Sequence, residues 1–314
     1  MSENLNVLVV GSSGLVGSSL VRILEKSNKI REVTASKRSD TDLFSYEQTK
    51  KLIDRSKPDV LIIAAAKVGG IYANNELRTD FLLDNLKINT NLIEASIPFP
   101  DIKIINLGSS CIYPLNSPNP IKEENFMGGK LEPTNSPYAM AKLTAIELGR
   151  SLHKQYGHEV INLMPTNLYG PNDYFNIEYS HVIPGLIMRM DEAKRSGEDK
   201  FNIWGSGKPL REFLFVDDLS HAIEFLIDKK VDTDIINIGS GEEISINNLA
   251  EKIKSIIEYE GKLNFDKSKP DGNPRKLLDS TLINNIGWKH LTSLDEGLKI
   301  TYDWFLNNFS NIKK

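Results

Sequence analysis

Apolar residues along the chain fall into two patterns: short unbroken runs, and longer stretches that repeat every three to four positions. NVLVV (6–10) is an apolar run closed by Gly11, the signature of a strand buried on both faces. Behind it, LVGSSLVRILEKS (15–27) puts Leu15, Val16, Leu20, Ile23 and Leu24 on one helical face. A second strand is expected near EVTASKR (32–38), and a third at DVLIIAAA (59–66), introduced by Pro58. LLDNLKINTNLIEAS (82–96) predicts a helix stopped by Pro98, and IKIINLGSS (102–110) another strand. SPYAMAKLTAIELGRSLHKQYG (136–157) predicts a long helix, with Pro137 in its first turn and Gly157 after its end. EVINLMP (159–165) follows as a strand. Short apolar strands alternating with helices imply an α/β fold: a doubly wound, Rossmann-like parallel sheet covered on both faces.

The alternation weakens after Pro165. Residues 170–212 are rich in Gly, Pro and Asn, with helices such as IPGLIMRMDEAKRSG. FLFVDDLSHAIEFLI (213–227) and DIINIGS (234–240) predict a strand–helix–strand return to the sheet, and residues 241–314 read as helical with polar loops. The expected organisation is a dinucleotide-binding domain at 1–168 and about 212–240, with a smaller, discontinuous substrate lobe at about 169–211 and 241–314. The cleft between them is the expected site.

Composition narrows the classes. A net charge of −4 without a basic block argues against nucleic-acid binding as the main job. A single cysteine among 314 residues excludes an intrachain disulfide and suits a reducing cytoplasm. The first residues, MSENLNVLVVG, start a strand at once, so no signal peptide is expected, and no apolar run approaches the ~20 residues of a membrane span.

VVGSSGLVG places Gly11, Gly14 and Gly17 between the first strand and the first helix. Gly11 suits a tight turn, Gly14 close approach of backbone to a pyrophosphate, and Gly17 close helix–strand packing, while the helix start offers free N–H groups. The second strand ends in Lys37 and Arg38; cations there suit the 2′-phosphate of NADP, where an acid would suit NAD. YAMAK sets Tyr138 and Lys142 four apart on one helical face, where an ammonium favours the phenolate and so proton exchange by the tyrosine. Cys111, two residues after Ser109 at a strand end, is by itself either a small buried hydrophobe or a proton-moving thiol.

The order glycine loop, Ser109 at a strand end, then Tyr-x-x-x-Lys on a helix resembles the extended short-chain dehydrogenase/reductases. In that family the serine and tyrosine hydrogen-bond a carbonyl while a nicotinamide delivers hydride. Sugar dehydratases of the family carry Thr-Asp-Glu where this chain has SSC. AAAKVGGIYANN (64–75), LGSSCIYP (107–114), EPTNSPYAMAK (132–142), MPTNLYGPND (164–173), SHVIP (180–184), WGSGKPLREFLFVDD (204–218) and KPDGNPRKLLD (269–279) are similar to the branch that converts GDP-4-keto-6-deoxy-D-mannose into GDP-L-fucose.

That resemblance implies 3,5-epimerisation followed by NADPH-dependent reduction at C4. It implies catalysis by Ser109, Cys111, Tyr138, Lys142 and His181, with Cys111 as base and His181 as acid. Cofactor contacts implied by it are Gly11, Ser12, Ser13, Gly14, Leu15, Val16, Gly17, Arg38, Asp42, Leu43, Leu107, Gly108, Lys142, Pro165, Thr166, Asn167, Leu168 and His181. Arg189, Trp204, Arg211 and Asp271 would hold the GDP-sugar, the arginines on its phosphates. A basic residue common in the family at the glycine loop is Ser13 here, so NADPH preference rests on Arg38 and NADH stays open. No metal is expected. Three rivals remain: a 4-reductase without epimerisation, a colitose-type GDP-sugar synthase, and a non-catalytic NADP-binding regulator. The helices at 82–96 and 136–154 carry apolar residues on more than one side, and the resemblance implies that they pair into a homodimer.

Overall fold

Alternate residues of the first strand serve two different cores, and the whole architecture follows from that. The computed structural model describes residues 4–268 and 271–312; Met1–Glu3, Lys313 and Lys314 lie outside the described residues, as do Lys269 and Pro270 of the 269–279 block. In chain order the first elements are β1 (Leu5–Val10), α1 (Leu15–Leu24), β2 (Ile30–Ser36), α2 (Tyr46–Ser56), β3 (Val60–Ile63), α3 (Ile71–Glu76), α4 (Arg78–Ser96) and β4 (Lys103–Leu107). There follow α5 (Ser136–Tyr156), β5 (Val160–Pro165), β6 (Asn167–Tyr169), α6 (Val182–Ser196), β7 (Lys200–Trp204), β8 (Leu210–Phe215), α7 (Val216–Leu226) and β9 (Ile235–Ile238). The chain ends with β10 (Glu243–Ser245), α8 (Ile246–Ile257), β11 (Lys262–Asp266), β12 (Arg275–Lys276), α9 (Thr281–Ile286) and α10 (Leu294–Ile312).

Val7 and Val9 pack with Leu20 and Leu24 of α1 and with Leu219 and Ile223 of α7. Leu8 and Val10 point the other way, against Leu52 and Ile53 of α2 and Ile88 and Leu92 of α4. Six parallel strands run in the order β2-β1-β3-β4-β5-β9. This is the doubly wound α/β fold expected from the apolar pattern. The order reverses between β1 and β3, and a sheet of this type opens a crevice at the carboxyl ends of the strands flanking that reversal. The strong helix signals hold closely: α5 starts with Pro137 in its first turn and stops at Gly157, whose φ of 85° is the left-handed geometry glycine allows.

The second lobe has its own core, built from Phe175, Ile187, Phe201, Phe213, Phe215, Ile253 and Phe305. Here the expected return to the sheet is corrected. β8 does not enter the parallel sheet; it pairs with β10, β12 and β6, and only β9 returns, beside β5. The cause is in its alternation: Leu214 faces the first core, while Phe213 and Phe215 face the second. Residues 281–288, placed by sequence in the lobe, lend Ile283 and Trp288 to the core of the parallel sheet. Among the described residues no helix is long and apolar enough to cross a membrane.

Candidate functional site

The loops after β1, β2, β3, β4 and β5 share the carboxyl end of the sheet. The first carries the glycines. Gly11 has φ 81°, and a Cβ there would sit 2.6 Å from the backbone of Ala65. A Cβ on Gly17 would lie 2.1 Å from the carbonyl oxygen of Gly11, so α1 can cross β1 only with glycine at that position. Gly14 differs. Its φ is −80°, and a Cβ would meet only the Gly11 oxygen, at 3.6 Å. Nothing in the chain itself excludes a side chain there, so the open space in front of Gly14 is what the glycine preserves. Gly14 caps α1 without a side-chain bond, and Ser12 Oγ is buried with no hydrogen-bond partner among the described residues. Unclaimed N–H groups at a helix start plus an orphaned hydroxyl suit an anionic ligand. Ser13 is exposed, and Leu15 and Val16 are half-buried.

Arg38, just past β2, is exposed, its guanidinium 5.7 Å from the centroid of the Phe44 ring. Asp42 accepts from Phe44 N at 2.9 Å, and Leu43 packs into the core and accepts from Asn91 at its carbonyl. At β5, Pro165 is buried and Leu168 half-buried, while Thr166 and Asn167 both donate to the Glu212 carbonyl, at 3.2 and 2.8 Å.

The end of β4 carries the chemistry. Gly108 N donates to Leu163 O at 2.9 Å, and a Cβ on Gly108 would strike Met164. Ser109 then caps a short 3-10 turn, its Oγ accepting from Cys111 N at 3.2 Å. This turn places the Ser109 hydroxyl and the Cys111 thiol side by side against the face of α5 that carries Tyr138. Ser109 hydrogen-bonds the Tyr138 phenol. Lys142 lies one turn on, fully buried, with Nζ 2.6 Å from Leu107 O and 5.8 Å from the centroid of the Tyr138 ring. Burial pushes the lysine down to about 8. Burial, and next the charge of Cys111, push the phenol above its ordinary range; the Ser109 bond opposes both. The expectation of a favoured phenolate is therefore corrected. The ammonium is aimed at Leu107 rather than at the phenolic oxygen, so desolvation wins and Tyr138 holds its proton.

Two donors face the sulfur: Asn135 Nδ2 at 3.4 Å and Lys276 Nζ at 3.5 Å. His181 stands at the N-terminal cap position of α6, without a side-chain cap bond, at the end of a loop that touches residues 69–70. Gly70 N donates to Tyr179 O at 2.9 Å, and a Cβ on Gly70 would lie 2.5 Å from Ser180 O. Phe81 of α4 sits beside Gly69 and presents its edge to the Tyr138 ring, the centroids 6.4 Å apart. His181 is exposed, while the protein mass around it lowers its pKa from the ordinary value. No hydrogen bond or ion pair joins His181 to Cys111 among the described residues; the two are linked through Gly69, Gly70, Phe81 and Tyr138.

The four residues expected at the substrate end form two adjoining couples. Arg189 stacks between Phe201 and Trp204, 5.3 and 5.0 Å from the ring centroids, and donates to Gly185 O and Asn202 O. Asp271 accepts from Ser206 N at 2.6 Å and Ser206 Oγ at 2.7 Å, and its carbonyl accepts from Arg211 at 3.4 Å. Gly205 joins the couples, lying against Asp271 right after Trp204. Sequence reasoning passed over Asn135 and Lys276, although both lie in quoted blocks; a side chain aimed at sulfur leaves no periodic trace. It also missed Asp173 of MPTNLYGPND, whose buried Oδ2 has no hydrogen-bond partner among the described residues and whose carboxyl burial pushes up to about 7.

A family model described as the NAD dependent epimerase/dehydratase family matches residues 7–239. The chain belongs to this family. Within it, the chain is similar to GDP-L-fucose synthase 1 of Arabidopsis thaliana, at 45% identity over 98% of this chain and 95% of the relative. It is also similar to the GDP-L-fucose synthase of Escherichia coli K12, at 42% identity over 96% of this chain and 97% of the relative. A solved GDP-L-fucose synthetase from Naegleria fowleri bound to NADP superposes with a TM-score of 0.88, at 30% identity over 98% of this chain and 96% of that one.

Proposed function

We propose that this protein inverts C3 and C5 of GDP-4-keto-6-deoxy-D-mannose and then reduces C4 with NADPH, forming GDP-L-fucose. The observation that carries the reading is the meeting of the Ser109 hydroxyl, the Cys111 thiol and the Tyr138 phenol at the end of β4, above the buried Lys142 ammonium. Ser109 and Tyr138 donate to the C4 carbonyl, which makes the neighbouring C–H bonds acidic. Cys111 takes the proton from C3 or C5, and the electron pair moves onto the C4 oxygen. His181 returns a proton to the other face, imidazole being the side chain whose ordinary proton exchange lies nearest neutrality.

Gly11–Gly17 and the start of α1 would hold the dinucleotide's pyrophosphate, Arg38 its 2′-phosphate, and Lys142 with residues 165–168 its nicotinamide half. The orphaned Ser12 hydroxyl and the space kept by Gly14 fit such a group. When bound, it supplies the hydride to C4. Tyr138, which holds its proton, then protonates the C4 oxygen. Arg189, Trp204, Arg211 and Asp271 are the proposed grip on the GDP-sugar. The proposed assembly is a homodimer through α4 and α5, where Leu83 and Met140 are 47% and 49% exposed. The single unpaired thiol suits the cytoplasm as the proposed location.

Incubating enzyme and substrate in deuterated water without cofactor tests the reading. Deuterium should enter C3 and C5, and NADPH should then give GDP-L-fucose by NMR. A product with no label at either carbon would leave a plain 4-reductase.

A further inference from the structure

We propose that Lys276 is a positioning residue for the epimerase step, holding the Cys111 sulfur and stabilising the negative charge it carries as a base. The proposal rests on the reading of Cys111 as that base. Lys276 comes from the far lobe, on β12, and its Nζ donates to Cys111 Sγ at 3.5 Å. An ammonium at the surface normally finds water or a carboxylate. Lys276 is half-buried and forms no ion pair with a carboxylate among the described residues; the sulfur is its acceptor. A thiolate at that sulfur would supply the ammonium with an opposite charge at hydrogen-bond range.

The contact is built into the backbone rather than left to a swinging side chain. Lys276 pairs in register with Arg211 of β8, and Arg211 also faces the sulfur at longer range. The next residue is clamped twice: Leu277 N donates to Asn119 Oδ1 at 2.7 Å and Leu277 O accepts from Ile121 N at 2.8 Å. Leu278 N then donates to the buried Glu212 carboxylate at 3.0 Å. Across the sulfur, Asn135 Nδ2 completes the cradle at 3.4 Å, with Tyr138 beside it. Hydrogen bonds to a charged partner are the strong ones. In the proposed step the thiolate receives the C–H proton and becomes a neutral thiol, its charge passing to the C4 oxygen. Lys276 keeps its own proton throughout.

Because the chain has one cysteine, alkylation by iodoacetamide followed by intact mass reads this sulfur alone and needs no substrate. Lys276→Met should slow alkylation at pH 7 by roughly tenfold, the low end for a hydrogen bond to a charged group, and Lys276→Arg should restore most of it. Thermal melting of both variants checks that the fold is kept. In deuterated water, kcat for exchange at C3 and C5 should fall with the alkylation rate while KM holds. Alkylation at the wild-type rate in Lys276→Met would overturn the proposal, and so would a raised KM with unchanged kcat, which would assign Lys276 to the substrate phosphates. A wild-type enzyme that exchanges no hydrogen, combined with slowed alkylation in Lys276→Met, would sink the epimerase reading and leave the lysine–sulfur contact standing.

Discussion

Lys142 shows how much a single residue can conceal in sequence. Its spacing from Tyr138 was legible, and so was the shared helical face. The direction of its ammonium was not, because Leu107 O is brought to it only by the packing of α5 over β4. The folded protein holds this lysine at about 8 against an ordinary 10.5, so between those values the unfolded chain binds the extra proton. Stability therefore rises with pH across that window, and the cost of burying the cation is fully present below about 8. Replacing Lys142 with Met should remove this dependence. Urea unfolding at pH 7 and pH 9.5 would show wild type gaining on Lys142→Met as pH rises; equal gaps at the two values would contradict the burial argument. The same variant should lose on the order of 10²-fold in kcat for reduction if the residue supports the proton donor.

Among the elements, those with strong end signals were the most readable. Pro137 and Gly157 bracket α5, whereas α2, capped by Ser45, was not read at all. β8 was readable as a strand but was assigned to the wrong sheet, because a strand whose two faces serve two cores looks in sequence like one buried in a single core. The glycine pair of AAAKVGGIYANN was visible without a role. The structure gives one: Gly70 lets the loop after β3 touch the segment that delivers His181. Gly70→Ala should push that segment away, since the added carbon would lie 2.5 Å from Ser180 O. Displacement of about 1 Å near reacting groups costs on the order of 10²-fold. Exchange at C3 and C5 should fall by that much, while NADPH affinity by fluorescence titration stays within about twofold, since residues 69–70 lie outside the glycine loop. Loss of cofactor binding instead would place the loop's function at the dinucleotide.

For the molecule as a whole, the α/β class was written in the apolar pattern, and the chain builds its main hydrophobic cores on either side of β8. The seam between these cores was not written there. Ile283 and Trp288 pack against the parallel sheet although their neighbours in sequence build the other lobe, and such a contact has no local signature. The proposed dimer rests, in sequence, only on apolar residues left over on two helices. Leu83 and Met140 remain exposed on α4 and α5; if these helices form the dimer face, Leu83→Asp combined with Met140→Asp should give a monomer by light scattering, with far-ultraviolet dichroism unchanged. A double variant that stays dimeric would move the interface elsewhere.

The position of β9 has a consequence in time. It completes the edge of the parallel sheet beside β5, yet everything from β6 to α7 must be made between the two strands. A nascent chain emerging from the ribosome would carry a five-stranded sheet with a bare apolar border until residues 235–238 arrive, and its thiol would wait still longer for the cation at 276. Such a border is the kind of exposed edge on which partly made chains stick to one another, so slow translation of the middle third would be a hazard to yield rather than to activity.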